Sequence, residues 1–344
     1  MGLKEEDYKK IREELDNCVK PLFFFDDDPD GLASFLLLYK YKQEGKGIVV
    51  KGPPKVGVEY IKKVEEYGPD KIFILDKPMV DQEFIDEIKV PIIWIDHHPL
   101  QENHKIKYFN PRKYDEKNAV PTSELCYHVV KDYEWIAVVG IVSDWYQTQV
   151  TKEFSKKNSE LLPDVDSPEK ALFETKIGEI SKIFQFLLKG DTKKVYQSIK
   201  ILTRIEDPAE LLEGETARVK KLLKEYNKIK EEYDYLIEEA KKQANEEKML
   251  VFIYQDNKTS VSGELSNELL YLYPEKTIIV GREKSGYVKG SIRSANNNLP
   301  PILDEIIVGI DGYGGGHDHA CGFSINKDDW EEFLEKFKEK ILED

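Results

Sequence analysis

Cysteine is scarce in this 344-residue chain, and histidine nearly so. The three cysteines, Cys18, Cys126 and Cys321, lie scattered without a CxxC pair, which excludes a disulfide framework and a zinc knuckle. No apolar run approaches the ~20 residues of a membrane span. The opening Met-Gly-Leu-Lys-Glu-Glu has no apolar signal core, so a soluble cytoplasmic protein is expected. An excess of positive charge is also lacking: 51 Lys and Arg face 66 Asp and Glu, a formal charge of −15. That balance excludes a broad nucleic-acid-coating surface but leaves room for a local basic track. Low-complexity tracts and internal repeats are missing too.

What is present suits packed globular units. Hydrophobic residues make up 40% of the chain and tyrosines number 19, and the length exceeds what one core usually serves, so two domains are expected. Charged residues reach 34%, mostly Lys and Glu, a thermophile-like surface. The most informative stretch is Pro91-Ile92-Ile93-Trp94-Ile95-Asp96-His97-His98-Pro99. Its apolar residues predict a short buried strand that delivers an Asp-His-His triplet at its carboxyl end, where open parallel sheets bind ligands.

In chain order, residues 4–18 predict a charged amphipathic helix, and 21–25 a buried strand running into Asp26-Asp27-Asp28-Pro29-Asp30-Gly31. Residues 32–39 resume as a helix, which makes an opening βα unit. Strands are predicted at 48–50 and 71–75, helices at 56–67 and 80–88. Such alternation predicts a parallel sheet with helices on both faces. Strand ends then carry Asp26, Asp28 and Asp30, then Asp76, then Asp96, His97 and His98, while Asp144 closes an apolar helix over 135–142. An aspartate ending a wholly apolar stretch is costly unless paired, exposed or bound to metal.

From 151 to 247 the pattern is helical, with a charged helix from 213 to 247, and predicts a connector between domains. Its stripe of Tyr226, Ile229, Tyr233 and Leu236 serves either a subunit contact, giving a homo-oligomer, or packing inside the chain. Strands return at 249–254, 277–280 and 287–294, with helices at 261–272, 300–308 and 327–342. The expected class is α/β: a parallel-sheet domain over 1–150, the helical connector over 151–247, and a smaller α/β domain over 248–344.

Carboxylates with an imidazole form a hard donor set suited to Mn²⁺ or Mg²⁺ more than to zinc. Four or five aspartates and one histidine suffice for two ions sharing a carboxylate, the arrangement that activates water for phosphoryl transfer. Taken singly, Asp27 and Asp96 also suit turn or cap roles. The run Gly314-Gly315-Gly316 beside His317 lets backbone amides approach an anion, or is a flexible turn. Arg293 and Ser294 supply a charged fork and a hydroxyl, both phosphate contacts. Lys276, Arg282, Lys284, Lys289 and Arg293 form a basic stripe against Glu283 alone, either a track for nucleic acid or a solvated strand face.

The order of these motifs, Asp-x-Asp-x-Asp-Gly at 26–31, Asp76, Asp-His-His at 96–98, Gly-x-x-x-Asp at 140–144 and Gly-Gly-Gly-His at 314–317, resembles the DHH phosphoesterase superfamily. Asn110-Pro111 and Pro121-Thr122-Ser123 sit where such enzymes carry similar residues. The whole chain resembles the RecJ-like branch, archaeal RecJ-like nucleases in particular, among them Hef-associated and helicase-associated relatives. The resemblance implies a DHH domain, a helical linker and a DHH-associated substrate-binding domain. It implies that Asp26 and Asp28 bind one Mn²⁺ and Asp30 the other, with Asp76 bridging and His97 and Asp144 completing the second; Mg²⁺ would serve as well. His98 and Asp96 form the expected catalytic pair, His98 facing the scissile phosphate and Asp96 orienting an imidazole. Arg293, Ser294 and the Gly314–His317 loop would hold substrate. Two positions depart from the pattern. Asp27 adds a charge, and Lys77 follows Asp76 where a small or polar residue is common; Lys77 is expected to be solvated, with a phosphate contact as the alternative.

The function implied is a two-metal phosphodiesterase that trims single-stranded DNA or RNA from an end, in repair or replication, with a helicase as a compatible partner. A second reading is hydrolysis of short oligoribonucleotides, cyclic dinucleotides or phosphoadenosine phosphate. A third, from another class, is a non-catalytic helicase-associated scaffold.

Overall fold

Three successive phenylalanines, Phe23, Phe24 and Phe25, can all be hidden only in a strand covered on both faces, and all three are fully buried. They lie in β1 (Pro21–Asp26). The computed structural model describes residues 2–52, 54–102, 105–255 and 259–343. Helix α1 (Glu5–Asp16) precedes β1, and α2 (Pro29–Lys42), β2 (Lys46–Val50), β3 (Lys55–Val56), α3 (Ile61–Tyr67) and β4 (Lys71–Leu75) follow it. Then come β5 (Met79–Val80), α4 (Gln82–Glu87), β6 (Ile92–Ile95) and β7 (Lys107–Phe109). The five longer strands form one sheet of order β2-β1-β4-β6-β7, parallel throughout, while β3 and β5 pair apart from it. Phe24, Ile74 and Trp94 point to one core with Phe84 and Tyr60. Phe25 points to the other face and stacks on Phe35 of α2, with ring centroids 4.6 Å apart. At the amino ends of the strands, Asp70 accepts the amides of Val19 and Lys20, both at 2.6 Å, and the Cys18 thiol at 3.0 Å, seating β1 beside β4.

Helices α5 (Thr122–Val130), α6 (Glu134–Ser143), α7 (Gln149–Lys157), α8 (Pro168–Glu174) and α9 (Lys176–Leu187) come next, then α10 (Thr192–Leu202), α11 (Pro208–Glu213) and α12 (Ala217–Lys241). The expected connector is thus no free-standing linker. Helices α7, α8 and α9 pack on α6 and bury Ile177, Ile180 and Phe184. The chain divides into two compact units, Met1–Lys224 and Glu225–Asp344, with the division inside α12. Tyr226, Tyr233 and Leu236 are buried in this fold and Ile229 is half-buried, so most of the helical stripe packs within the chain.

The second unit holds β8 (Met249–Gln255), α13 (Ser262–Leu272), β9 (Thr277–Lys284), β10 (Tyr287–Arg293), α14 (Leu299–Ile306), β11 (Gly312–His317), β12 (Ala320–Asn326) and α15 (Trp330–Glu343). Its sheet has the order β11-β12-β10-β9-β8, with β8 parallel to β9 and the remaining pairs antiparallel. One face packs Ile279, Ile292, Phe323 and Ile325 against Leu303 and the α15 aromatics Trp330, Phe333 and Phe337. Residues 314–317, expected as a glycine loop, lie instead in β11, an edge strand that forms a hairpin with β12. Without side chains to alternate, a glycine-rich strand gives no period-two signal. Among the described residues, no helix is long and apolar enough to cross a membrane.

Candidate metal centre

Strand register sets the site. Phe25 pairs with Leu75, and Leu75 with Ile95, so the next residues, Asp26, Asp76 and Asp96, leave three adjacent strands at one level. Asp76 adopts a left-handed backbone conformation (φ 58), uncommon for a non-glycine residue and turning the chain sharply out of the sheet. Gly31 opens α2 close behind β1: a Cβ there would lie 2.7 Å from the Asp26 amide nitrogen, so only glycine fits. Asp28 caps α2, its Oδ1 accepting from the Gly31 amide at 2.8 Å.

Asp30 is fully buried, and its two oxygens accept the Thr122 and Ser123 amides, at 2.8 and 3.0 Å, where the amino terminus of α5 favours negative charge. Helices α5 and α6 meet at Gly140, where a Cβ would lie 2.4 Å from Ser123 Oγ and 3.0 Å from Ala33 Cβ. The same α6 ends at Asp144. His97 Nε2 lies 3.3 Å from Asp76 Oδ1 and 3.4 Å from Asp144 Oδ2. Its Nδ1 lies 3.2 Å from the Ala119 carbonyl, which accepts a hydrogen bond there and leaves Nε2 aimed at the carboxylates. One donor atom each from Asp30, His97 and Asp144 falls within 4.8 Å of the others, as do one each from Asp76, His97 and His98. Thr122 Oγ1 donates to Asp76 Oδ1 at 3.1 Å.

Crowded carboxylates raise one another's proton affinity. Burial, with Asp76 next, pushes Asp28 and Asp30 well above the usual carboxylate range, and burial pushes Asp144 up to about 6. Burial alone would raise Asp76 as well, but His97 and His98 hold it below its ordinary value. Burial would lower His97; the surrounding Asp76, Asp144 and Asp30 carboxylates override it and hold the ring well up. So much negative charge in so little water fits a hard divalent cation with oxygen donors and one imidazole.

His98 is held from behind. Its Nδ1 lies 2.7 Å from Asp96 Oδ1, and Asp96 Oδ2 accepts from the His98 amide (3.1 Å), Tyr108 Oη (3.2 Å) and Asn110 Nδ2 (3.2 Å). Asp96 is 0% exposed and is therefore more than a turn residue. Tyr108, Ala119 and Arg112, whose Nε donates to the His97 carbonyl at 2.7 Å, carry no sequence signal of this role. Thr122 and Ser123, noted in the sequence through the resemblance, also carry a local signal, since small hydroxyl residues after a proline open a helix.

Lys77 corrects an expectation. It is neither solvated nor open to a phosphate: it is 1% exposed, and its Nζ donates to Asp26 Oδ1 at 2.8 Å. The same Oδ1 accepts the Asp27 amide at 2.8 Å. Burial, opposed by Lys77 and reinforced by Asp76, pushes Asp26 up to about 6.

In the second unit Arg293 Nε donates to Asn267 Oδ1 at 2.7 Å and its Nη1 reaches the Ile292 and Cys321 carbonyls, so protein acceptors hold much of the fork. Ser294, expected to touch substrate, is 1% exposed, with its hydroxyl shared among Thr277 Oγ1 and the Asn297 amides. A hydroxyl enclosed this way positions the turn and cannot reach a ligand. Lys276 likewise leaves the basic stripe: it is buried, donating to the Asn245 and Glu247 carbonyls. Gly314 and Gly315 do face an open groove of about 500 Å³, together with Tyr313, Lys289, Ser291 and Gly322. Gly316 and His317 are exposed on the same edge strand.

Residues 22–158 match the model of the DHH family N-terminal domain, and residues 245–343 that of the DHHA1 domain. No curated protein matches the chain in sequence. Among solved structures the chain is similar to RecJ from Thermus thermophilus in complex with Mn²⁺, at 17% identity and a TM-score of 0.73, over 100% of this chain and 55% of that one. That RecJ is also similar in its Mg²⁺ complex. A second relative in fold is an exonuclease RecJ bound to manganese, at 16% identity, TM-score 0.64, over 99% of this chain and 95% of that one. A third is the pGpG-specific phosphodiesterase PggH from Vibrio cholerae, at 14% identity, TM-score 0.55, over 95% and 100%. The chain thus spans little more than half of the Thermus RecJ, and at these identities the likeness is one of fold.

Proposed function

The chain belongs to the DHH superfamily and has the RecJ-like fold; on that premise we propose that it is a metal-dependent phosphodiesterase acting as an exonuclease on single-stranded nucleic acid. The observation that carries this reading is the convergence of Asp30, Asp76, His97 and Asp144 at the carboxyl ends of parallel strands. These four residues would hold Mn²⁺ or Mg²⁺. When bound, the ion supplies a Lewis acid for the phosphoryl oxygens and lowers the proton affinity of water.

The remaining steps belong to the chain's own groups. The Ala119 carbonyl fixes the His97 ring so that Nε2 stays a donor to metal. Asp96 keeps a proton on His98 Nδ1 and stabilises the imidazolium, which faces the scissile phosphate and neutralises charge there. In the second unit, the exposed Gly315–His317 edge and Lys289 bind the phosphate backbone, and Tyr313, 70% exposed, offers a ring for a base to stack on.

Digestion of 5′-labelled and 3′-labelled single strands, DNA and RNA in parallel, with Mn²⁺ or with EDTA, tests the reading. Metal-dependent release of mononucleotides is expected, and the label lost first gives polarity. His97→Ala should abolish cleavage and leave the fold intact, checked by circular dichroism; full activity in that variant refutes the assignment. A short-substrate reading is favoured by the likeness to PggH, which extends over that whole chain. Hydrolysis of dinucleotides with none of a ~20-mer would select it over the single-strand exonuclease.

A further inference from the structure

Resting on the metal-dependent reading above, we propose that Lys77 is a fixed cation built into the centre in place of one of the two expected ions, so that the site takes a single divalent metal. Lysine is almost never fully buried unless paired. Lys77 is buried along its whole length, its side chain 2% exposed, and its ammonium meets Asp26 Oδ1 at 2.8 Å. Its carbonyl accepts the indole N–H of Trp94 at 2.9 Å, and Trp94, itself 0% exposed, stacks on Tyr108. Backbone and side chain are therefore both held, and the lysine side chain is almost wholly enclosed.

Of the two carboxylates that a second ion would need, each has one oxygen turned to protein donors, and Asp26 shares its oxygen with a full positive charge. Asp26 Oδ1 takes both Lys77 and the Asp27 amide, and Asp28 Oδ1 caps α2 through Gly31. Neither residue belongs to a donor set that closes within 4.8 Å; both such sets draw on His97. Of those two sets, one relies on His98, whose ring is tied to Asp96 through Nδ1 and is assigned above to the scissile phosphate. One complete set remains, Asp30, His97 and Asp144, with Asp76 beside it. Paired ions in two-metal sites lie ~3.5–4 Å apart. An ion placed against Asp26 would instead confront an ammonium in a pocket with little water to screen it. Lys77 supplies a unit of positive charge that no chelator removes, and it leaves the centre dependent on one exchangeable ion.

The test is a metal count on the full chain. The protein is equilibrated with Mn²⁺, freed of excess, and analysed by elemental mass spectrometry, with electron paramagnetic resonance to separate isolated from exchange-coupled Mn²⁺. The wild type is expected to hold one ion with an uncoupled spectrum. Lys77→Asn, shorter and uncharged, is expected to admit a second ion and show coupling, with circular dichroism reporting that it is folded. Two coupled ions in the wild type overturn the proposal, and if hydrolysis is present they leave the phosphodiesterase reading standing. A folded Lys77→Asn that still holds one ion overturns Lys77 as the cause. No ion in the wild type, with no hydrolysis, removes both readings. The wild-type count decides the matter even where the variant fails to fold.

Discussion

Asp96→Asn probes the support of His98, the imidazole proposed above to face the scissile phosphate, while changing almost no volume. Asp96 is fully buried and accepts four hydrogen bonds, three at Oδ2 and one at Oδ1 from His98 Nδ1. An asparagine whose oxygen stays at the Oδ2 position keeps the first three. Its amide NH₂ then faces Nδ1, so the ring must present a lone pair there and carry its proton on Nε2. Burial alone would lower the proton affinity of His98; the Asp96 and Asp76 carboxylates override it, and the substitution removes the nearer of them. Exchanging one charge-assisted bond for a neutral one costs about 1–2 kcal/mol of stability, read as a shift in the urea midpoint. Turnover at saturating Mn²⁺ should fall by roughly 10²–10⁴, the span of general acid–base contributions. Metal affinity should stay clear of the ~10–100-fold loss that follows removal of a ligand's own outer partner, because the Ala119 carbonyl holds His97. Unchanged turnover in a folded Asp96→Asn protein refutes the reasoning. So does a loss fully restored by added metal, which would make Asp96 part of the ion's support.

Other expectations concern fold and groove. Burial alone would raise Asp70, but the Val19 amide, the Cys18 thiol and the Lys20 amide bring it down to about 2. A depressed folded value stabilises the protein above the ordinary carboxylate range and is lost as pH falls through it. Between about pH 4 and 2 the wild type should therefore lose about 1–2 kcal/mol that Asp70→Asn never had, and parallel stability curves for the two proteins would contradict this. Gly315→Val should fold normally, since a Cβ there meets nothing within 4 Å, and should raise KM by narrowing the groove. Gly290→Ala should lower Tm sharply, because its Cβ would lie 2.0 Å from the Val280 carbonyl oxygen. Ser294→Ala should cost about 1–3 kcal/mol with KM unchanged; a raised KM at full stability would restore it as a substrate contact.

Much of the N-terminal half was legible because its signals are local. Apolar runs closed by acid or imidazole mark β1, β4 and β6, and sheet register alone then brings Asp26, Asp76 and Asp96 to one level. Asp144 was legible for the same reason, standing at the end of an apolar helix. Partners supplied from a distance were not. Lys77 looks like any lysine until β1 places Asp26 against it, and Tyr108 sits in a three-residue strand too short to show a period. In the second unit the glycines hid β11, and Ser294 and Lys276, polar in sequence, turned out to be internal supports. The helices after residue 151 read correctly as helices, but nothing in their pattern distinguishes a spacer from a layer packed on α6.

The contact at Gly140 has a consequence for ion preference. On one side of it, α5 gives the amides that fix Asp30; on the other, α6 carries Asp144 at its end. The bare glycine acts as a shim of zero thickness between those two helices. Any side chain there would spread them and widen the bite of the donor set, although no ligand had changed. Octahedral Mg²⁺ demands short, near-ideal distances, whereas larger cations accept longer and more variable ones. In a metal site built on these ligands, selectivity by ionic radius would be delegated to a helix crossing, and chains with identical ligands could sort metals differently through one residue that supplies no donor atom of its own to the ion.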